Sequence, residues 1–221
     1  MARKKRIWYP GAIYHVMSRG NRRVAIFNDY TDYLRFLINV QKIKKEIPFR
    51  IHSLCLMTNH FHLSIETEKI PLSKIMQRIL SIYAEAYNHV HDYTGHLFEG
   101  RYTAQIIEDE QYFLEVSRYI HLNPVKACMV KDPSDYEYSS YRCFLNDGVF
   151  SRGNKVFVLI DELVDTSRIL QCFDGNSCRQ YRDFVEDRQS HGEHELLIQK
   201  DMHENELWLP KGVRPFGPEV Q

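Results

Sequence analysis

Two apolar runs separated by only two polar residues constrain the fold of this chain more than any other feature. Arg50 to Met57 and His60 to Thr67 each have the length and apolar content of a buried strand. Thr58-Asn59 between them is short enough for a two-residue turn, so the runs are predicted to pair as an antiparallel hairpin. A lone hairpin is marginally stable in water, and the chain must therefore build a larger sheet around it.

The spacing of apolar residues on both sides of the hairpin predicts the remaining elements. Ala12 to Ser18 and Tyr102 to Ile107 are predicted to be strands. Helices are predicted at Thr31 to Lys45, Pro71 to about His91 and Glu110 to about Leu122, with Asp109 as the N-cap of the last one and Pro124 as its end. The order strand, helix, strand, strand, helix, strand, extra helix predicts an α+β sandwich, with helices on one face of an antiparallel sheet.

The two parts of the chain carry opposite charge. Up to Lys131 there are 19 Lys and Arg against 12 Asp and Glu, a balance of +7, and the remainder has 10 against 17, a balance of −7. A basic first part fits a polyanionic partner, although two surfaces can also differ in charge for no functional reason. We expect a domain at residues 1–150 and an acidic extension at 151–221, with short helices at Asp161 to Cys172 and Cys178 to Arg188.

Composition excludes a membrane protein and a disulfide-rich secreted domain. Of the 221 residues, 43% are hydrophobic and 26% are charged, and no apolar run reaches the roughly 18 residues that a membrane span needs. The basic N-terminus lacks the apolar core of a signal peptide. The five cysteines form no close pair with metal-ligand spacing. These features predict a cytoplasmic protein.

His60 and His62 are the first candidate site residues. One residue apart in a strand, they lie on the same face of the sheet, while Phe61 between them points into the core. A single strand histidine is usually structural, but a pair at this spacing can bind one metal ion. Imidazole nitrogens alone favour zinc or another transition metal, whereas added amide and phosphate oxygens favour Mg²⁺ or Mn²⁺.

Tyr119 and Asn123 form the second candidate pair. Four residues apart in a predicted helix, they share a face, with Asn123 on the last turn. Tyr119 offers a nucleophile and Asn123 an oxygen ligand, although most of the 14 tyrosines are expected to be core or rim residues. A phenol with a pKa near 10 needs deprotonation or an electrophile polarised by a metal before it attacks at neutral pH. Together the two pairs suggest metal-assisted cleavage of a phosphodiester through a covalent tyrosine link.

Four motifs in a fixed order give the chain a family resemblance. They cover residues 14–23 (Tyr-His-Val-Met-Ser-Arg-Gly-Asn-Arg-Arg), 59–62 (Asn-His-Phe-His), 95–102 (Gly-His-Leu-Phe-Glu-Gly-Arg-Tyr) and 118–125 (Arg-Tyr-Ile-His-Leu-Asn-Pro-Val). With them the chain resembles the single-tyrosine HUH transposases, and in particular the REP-associated tyrosine transposases, over roughly residues 5–145. Each motif alone is weak, and the ordered set is specific.

This resemblance implies a ferredoxin-like fold and metal-dependent cleavage of single-stranded DNA beside a hairpin. It implies that His60 and His62 bind the metal, Mg²⁺ or Mn²⁺, that Asn123 replaces a third ligand that is Gln or Asn in the family, and that Tyr119 is the nucleophile. Attack would give a 5′-phosphotyrosine and a free 3′-OH, and rejoining would reverse it. The residues expected to contact DNA are Arg19, Asn21, Arg22, Arg23, Arg101, Tyr102, Arg118 and Lys126, and Arg3-Lys4-Lys5-Arg6 can reach a groove or a strand end.

Other functions compete with this interpretation. A domesticated relative would recognise hairpin DNA or RNA without cutting, although four intact site residues argue against that. A rolling-circle replication initiator or relaxase shares the histidine strand, but the other three motifs fit transposases better. Some relatives carry a C-terminal helix-turn-helix, which the −7 charge of the extension disfavours. The expected setting is the bacterial cytoplasm at the nucleoid, as a monomer or a homodimer, with the tyrosine helix acting in cis or in trans.

Overall fold

A four-stranded antiparallel sheet forms the centre of the protein, whose computed structural model describes residues 7–145 and 154–187. The strands are β1 (Ile13–Arg19), β2 (Phe49–Met57), β3 (His60–Thr67) and β4 (Thr103–Ile107), in the order β2-β3-β1-β4. Each strand is antiparallel to its neighbours. The hairpin with its turn at Thr58-Asn59 is confirmed, and every strand end lies within one residue of its predicted position.

Three long helices cover both faces of this sheet: α1 (Tyr30–Glu46), α2 (Leu72–Val90) and α3 (Glu110–Lys126). Strand β3 explains the two layers, because Phe61, Leu63 and Ile65 share one buried cluster with residues of α1 and α2. His62 on the opposite face contacts α3. The α+β class and the ferredoxin-like order are confirmed, while the expected placement on a single face holds only for α1 and α2.

Helix α3 continues past Pro124, and the prediction that it ends there was wrong. Pro124 lacks the N–H that would bond to Ile120, yet Val125 and Lys126 remain helical. The helix instead ends in a Schellman motif, in which Met129 N donates to Pro124 O at 2.9 Å and Cys128 N donates to Val125 O at 2.9 Å. Cys128 takes the left-handed φ of 55° that this motif requires.

The described part of the C-terminal extension contains α4 (Lys155–Leu163), α5 (Ser167–Leu170) and α6 (Ser177–Glu186). The single helix predicted at Asp161 to Cys172 was therefore wrong. Val164 forms a parallel bridge with Ile51, and Asp165 N donates to Ile51 O at 2.8 Å, so the chain is extended where the prediction had helix. The helix predicted at Cys178 to Arg188 corresponds to α6.

The described extension joins both layers of the protein. Val156, Ile160 and Leu163 of α4 lie in the buried cluster with α1 and α2, whereas Tyr181 and Val185 of α6 lie in the cluster with α3. No helix within residues 7–145 or 154–187 is long and apolar enough to cross a membrane. Arg3 to Arg6, the expected boundary at residue 150 and residues 191–221 lie outside the described residues.

Candidate active site

Three of the four motifs meet at one end of the sheet. Backbone hydrogen bonds join the loop after β1 to the β2–β3 turn, through Gly20 N and Asn59 O at 2.8 Å, and to the loop before β4, through Asn21 N and Leu97 O at 2.8 Å. Glu99 N donates to Arg19 O at 2.9 Å. Residues far apart in sequence thus form one rim beside the first residues of β3.

Gly20 permits this convergence because the chain turns back tightly on itself there. A Cβ atom at position 20 would lie 2.2 Å from Val24 O. This clash could not be relieved by a change of rotamer, because Val24 O is a backbone atom. The next residues, Asn21–Arg23, form a 3₁₀ turn. Only glycine therefore fits at position 20. Its tight turn sets the direction in which the basic loop leaves the sheet.

His60 and His62 lie on the α3 face of β3, as their spacing predicted. His60 Nδ1 lies 2.7 Å from Asn59 Oδ1, and His62 Nδ1 lies 3.0 Å from His15 Nε2 on the neighbouring strand β1. The two β3 rings are 5.1 Å apart at 88°. Each ring thus has one nitrogen engaged by a neighbouring side chain, which is how proteins orient histidines that bind a metal through the other nitrogen.

Burial keeps these imidazoles neutral. Loss of solvent, with the nearby positive charge of Arg19, lowers the pKa of His60 to about 4. Burial alone lowers the pKa of His15 to about 3, and it holds the pKa of His62 well below its usual value. A neutral imidazole retains the lone pair that a cation needs.

The Tyr119 ring contacts the rings of His62 and His15. Its ring centroid is 5.5 Å from that of His62 and 5.7 Å from that of His15, with both contacts edge-on. Lys126 Nζ lies 4.7 Å from the Tyr119 ring centroid, within range of a cation–π contact. The strand and the helix of one chain therefore bring the nucleophile candidate to the histidines.

Asn123 lies one helical turn after Tyr119 on α3. Its Nδ2 donates to Tyr119 O at 2.7 Å, which leaves Oδ1 as the acceptor atom of this half-buried amide. Within the described part of the chain no three His, Cys, Asp or Glu side chains form a group that could hold a metal ion. The available donors are two imidazoles and one amide oxygen, and this mixed set fits a divalent cation that takes further oxygens from a phosphate.

The expected DNA-contacting residues divide into two groups. Arg22, Arg23 and Arg101 are exposed, and the first two have left-handed φ values of 52° and 61°. Arg19 is partly exposed, and its Nε bonds to Glu99 Oε2 at 2.8 Å. Asn21 is half-buried and Lys126 is exposed. Of this group, Lys126 contacts the Tyr119 ring and Arg19 is close enough to His60 to affect its pKa.

The second group, Arg118 and Tyr102, is buried in the structure. Arg118 is 5% exposed, pairs with Glu115 at 2.5 Å and has its guanidinium 4.7 Å from the centroid of the Phe184 ring in α6. Tyr102 is 6% exposed and belongs to the core with α1 and α2. The structure therefore does not bring these two side chains to the rim, and Arg118 instead connects α3 to the extension.

His15 is a site residue that sequence reasoning did not single out. It lies in the first motif, beside Val16, but only the register of β1 on β3 reveals that it reaches His62. A histidine within an apolar strand was the one available signal. It carried no information about which ring it would contact.

A ferredoxin-like sheet with a histidine pair facing a helix-borne tyrosine defines the class of the protein. The sequence model of the family described as "Transposase IS200 like" matches residues 9–123, just over half of the chain. The chain belongs to the IS200-like transposase family.

Solved structures that are similar to the protein include two transposases. A REP-associated tyrosine transposase bound to a REP hairpin is 21% identical with a TM-score of 0.57, over 76% of this chain and 94% of that chain, and it shows the same fold. A protein assigned as a transposase from Deinococcus radiodurans R1 is 14% identical with a TM-score of 0.39, over 54% of this chain and 95% of that chain. No curated protein sequence matches the chain.

Proposed function

We propose that the protein cleaves and rejoins single-stranded DNA beside hairpins through a covalent tyrosine intermediate, with a divalent cation bound at His60 and His62. The observation that carries this proposal is the contact between Tyr119 and His62, 5.5 Å between ring centroids. This contact brings the proposed nucleophile, Tyr119, to the proposed neutral ligands, His60 and His62, at a largely buried position. Membership of the IS200-like transposase family supports DNA as the substrate.

In the proposed step, Tyr119 Oη attacks the scissile phosphorus. The new O–P bond forms as the bond from phosphorus to the 3′ oxygen breaks, which leaves a 5′-phosphotyrosine and a 3′-OH. The phenolic proton passes to solvent and the departing 3′ oxygen takes up a proton. Attack by another 3′-OH on the phosphotyrosine reverses the step and joins two ends without an external energy source.

The cation site is assigned to the free nitrogens of His60 and His62 and to Oδ1 of Asn123. Mg²⁺ or Mn²⁺ bound there would polarise the scissile phosphate and hold it in line with the tyrosine. His15 and Asn59 hold the ligand rings from behind, and Lys126 beside Tyr119 contributes a positive charge where phosphate charge accumulates.

The rim around the site is the proposed DNA surface. Arg19, Arg22, Arg23, Arg101 and Lys126 supply positive charge, and exposed guanidinium groups suit phosphate oxygens. One similar structure holds a REP hairpin, and we extend hairpin DNA to this chain as the proposed ligand. The expected setting is the bacterial cytoplasm at the nucleoid, with the protein as a monomer or a homodimer.

The proposal is tested by incubating the full chain with a labelled hairpin oligonucleotide that has single-stranded flanks. With Mg²⁺ or Mn²⁺ we expect a protein–DNA adduct that survives denaturing electrophoresis, and no adduct with EDTA. Tyr119→Phe should abolish the adduct while hairpin affinity, measured by fluorescence anisotropy, stays within about threefold of the wild type, because only the nucleophilic oxygen is lost.

Tyr112→Phe is the matched control, because Tyr112 is a second tyrosine of α3 and the substitution leaves Tyr119 in place. It should form the adduct normally. Hairpin binding without any adduct under either metal would instead support the non-cleaving alternative. Adduct formation by Tyr119→Phe would contradict the assignment of the nucleophile.

A further inference from the structure

His15 lies on β1, next to the strand that bears the proposed metal ligands, and its contact with His62 has a consequence for cation binding. It is fully buried on β1, and its Nε2 lies 3.0 Å from Nδ1 of His62. The two rings are stacked, with centroids 5.2 Å apart and an angle of 30° between the planes. This short contact joins two ring nitrogens, and one proton must lie between them for it to be attractive.

Two proton arrangements satisfy this contact when both rings are neutral. In the first, His15 Nε2–H donates to His62 Nδ1, and His62 then carries its own proton on Nε2. In the second, His62 Nδ1–H donates to His15 Nε2, and His62 Nε2 has a lone pair. Because His62 Nδ1 is occupied by His15 in either case, only the second arrangement allows His62 to bind a cation.

We propose that His15 is a positioning residue that accepts the Nδ1–H of His62 when the cation is bound, and that it thereby supports the tautomer in which His62 Nε2 binds the cation. The inference rests on the proposed metal-dependent function and adds the residue that orients one of its ligands. His60 has a different arrangement, because its Nδ1 contacts the side-chain oxygen of Asn59. An amide oxygen can only accept a hydrogen bond, so His60 carries its proton on Nδ1.

The surroundings of His15 predict which arrangement holds without the cation. His15 Nδ1 is buried and has no hydrogen-bond partner among the described residues. The second arrangement places a proton on this nitrogen, and an unpaired buried N–H costs about 1–3 kcal/mol. The first arrangement leaves only an unpaired lone pair there. The metal-free protein is therefore expected to favour the first arrangement, and cation binding to favour the second, with two protons on the two rings in both states.

The test combines two replacements of His15 with a readout that does not depend on cleavage. In His15→Gln the side-chain oxygen can still accept the hydrogen bond from His62, whereas His15→Phe keeps a ring and removes the acceptor. We expect Mn²⁺ affinity, measured by electron paramagnetic resonance, to fall about 10–100-fold in His15→Phe and to stay within about threefold of the wild type in His15→Gln. Hairpin binding in EDTA should be unchanged in both.

Nitrogen-15 NMR of the ring nitrogens in the wild-type protein provides the second readout. Titration with Mg²⁺ should move the proton of His62 from Nε2 to Nδ1. A His62 that keeps its proton on Nε2 with Mg²⁺ bound would overturn the proposal even if His15→Phe failed to fold, and so would wild-type Mn²⁺ affinity in a folded His15→Phe. Absence of cation binding by the wild type would overturn the proposed metal dependence together with this inference, which separates the two failures.

Discussion

At the scale of single residues, burial decides what the histidines of this protein can do. His15, His62 and His121 are each at most 3% exposed. Their hydrogen-bond partners among the described residues are histidine, tyrosine and serine side chains, without a carboxylate. Charging any of them inside the protein would remove a cation from water without a compensating partner. They therefore stay neutral and act as hydrogen-bonding or ligand groups.

Because these histidines stay neutral in the folded protein, the free energy of unfolding is predicted to fall as soon as the pH drops below about 6.5. Burial lowers the pKa of His15 and of His121 to about 3 in the folded protein, against about 6.5 in the unfolded chain. As the pH falls below about 6.5, the unfolded chain binds protons that the folded protein does not, so the stabilisation present above that pH is lost progressively toward pH 3. His60 and His62, whose pKa values are also lowered, act in the same direction. The free energy of unfolding from urea titrations should therefore fall by about 4–5 kcal/mol between pH 7.0 and 5.5.

His121→Gln tests the assignment of this loss. It removes one of the four histidines with a lowered pKa, and the difference in unfolding free energy between pH 7.0 and 5.5 should shrink by about a quarter. Carboxylates titrate mainly below this range and contribute little to it. Equal stability of the wild type at both pH values would contradict the burial of neutral histidines.

Sequence spacing was sufficient to place His60 and His62 on one face and Tyr119 with Asn123 on another. Both follow from the periods of a strand and a helix, which are local properties. The partner of His62 could not be predicted in this way, because His15 reaches it only through the β1–β3 register. Burial of Arg118 depended likewise on Phe184, 66 residues further along the chain, which packs against it from α6.

At the scale of elements, a buried hydrogen-bond chain fixes the tyrosine helix. Tyr181 OH of α6 lies 2.6 Å from Ser117 Oγ and 2.7 Å from His121 Nδ1 of α3. His121 Nε2 continues to Ser140 Oγ at 2.8 Å, and that oxygen accepts from Leu54 N of β2 at 2.9 Å. The face of α3 opposite Tyr119 is thus tied both to the extension and to the sheet.

Removal of the central hydroxyl tests this chain. Tyr181→Phe should lower the free energy of unfolding by about 1–3 kcal/mol, because it leaves two buried polar groups without their shared partner. Tyr30→Phe is the control, since Tyr30 is 42% exposed, and its effect should stay within about 0.5 kcal/mol. Equal effects of the two substitutions in chemical denaturation would contradict a special role for Tyr181.

The end of α3 allows a stabilising substitution. Cys128 is not glycine, yet it has a φ of 55° in the Schellman motif. Cys128→Gly should raise the melting temperature, by an amount equivalent to about 0.5–1 kcal/mol, because glycine adopts this conformation without steric cost. Cys128→Ala retains a Cβ atom and should give no gain, and equal melting of the two variants would contradict the strain at this residue.

The ends of two helices were predicted wrongly, because tertiary contacts outweighed local sequence preferences there. Pro124 was a reasonable end for α3 by propensity, but the Schellman bonds and the packing of the last turn outweigh one missing hydrogen bond. The break between α4 and α5 has the opposite cause. Val164 and Asp165 pair with Ile51, where β2 carries a bulge at His52, and this tertiary contact has no counterpart in the local sequence.

At the scale of the whole molecule, the extension holds the site together within one chain. Helix α6 packs on α3 through Tyr181 and through Phe184 against Arg118, and α4 packs on α1. Exchange of α3 between two chains would have to break these contacts or carry α6 along. The geometry therefore favours a tyrosine that serves the histidines of its own chain.

Mixing two inactive variants tests this cis arrangement. Tyr119→Phe lacks the nucleophile, and the His60→Ala, His62→Ala double variant lacks the ligands. In cis neither chain can be rescued, and an equimolar mixture incubated with hairpin DNA and Mn²⁺ should form no more adduct than either variant alone. Recovery of the adduct to about a quarter of the wild-type level, the share expected for random pairing of helices, would show assembly in trans.

The central claim, that Tyr119 attacks DNA at the histidine site, is tested most directly by locating the adduct. Trypsin cleaves after Arg118 and Lys126 and releases residues 119–126, a peptide in which Tyr119 is the sole tyrosine, whereas Tyr102 and Tyr112 share the peptide 102–118. After nuclease trimming of the bound DNA, mass spectrometry should find the nucleotide phosphate on peptide 119–126. A nucleotide on peptide 102–118, with peptide 119–126 unmodified, would contradict the account.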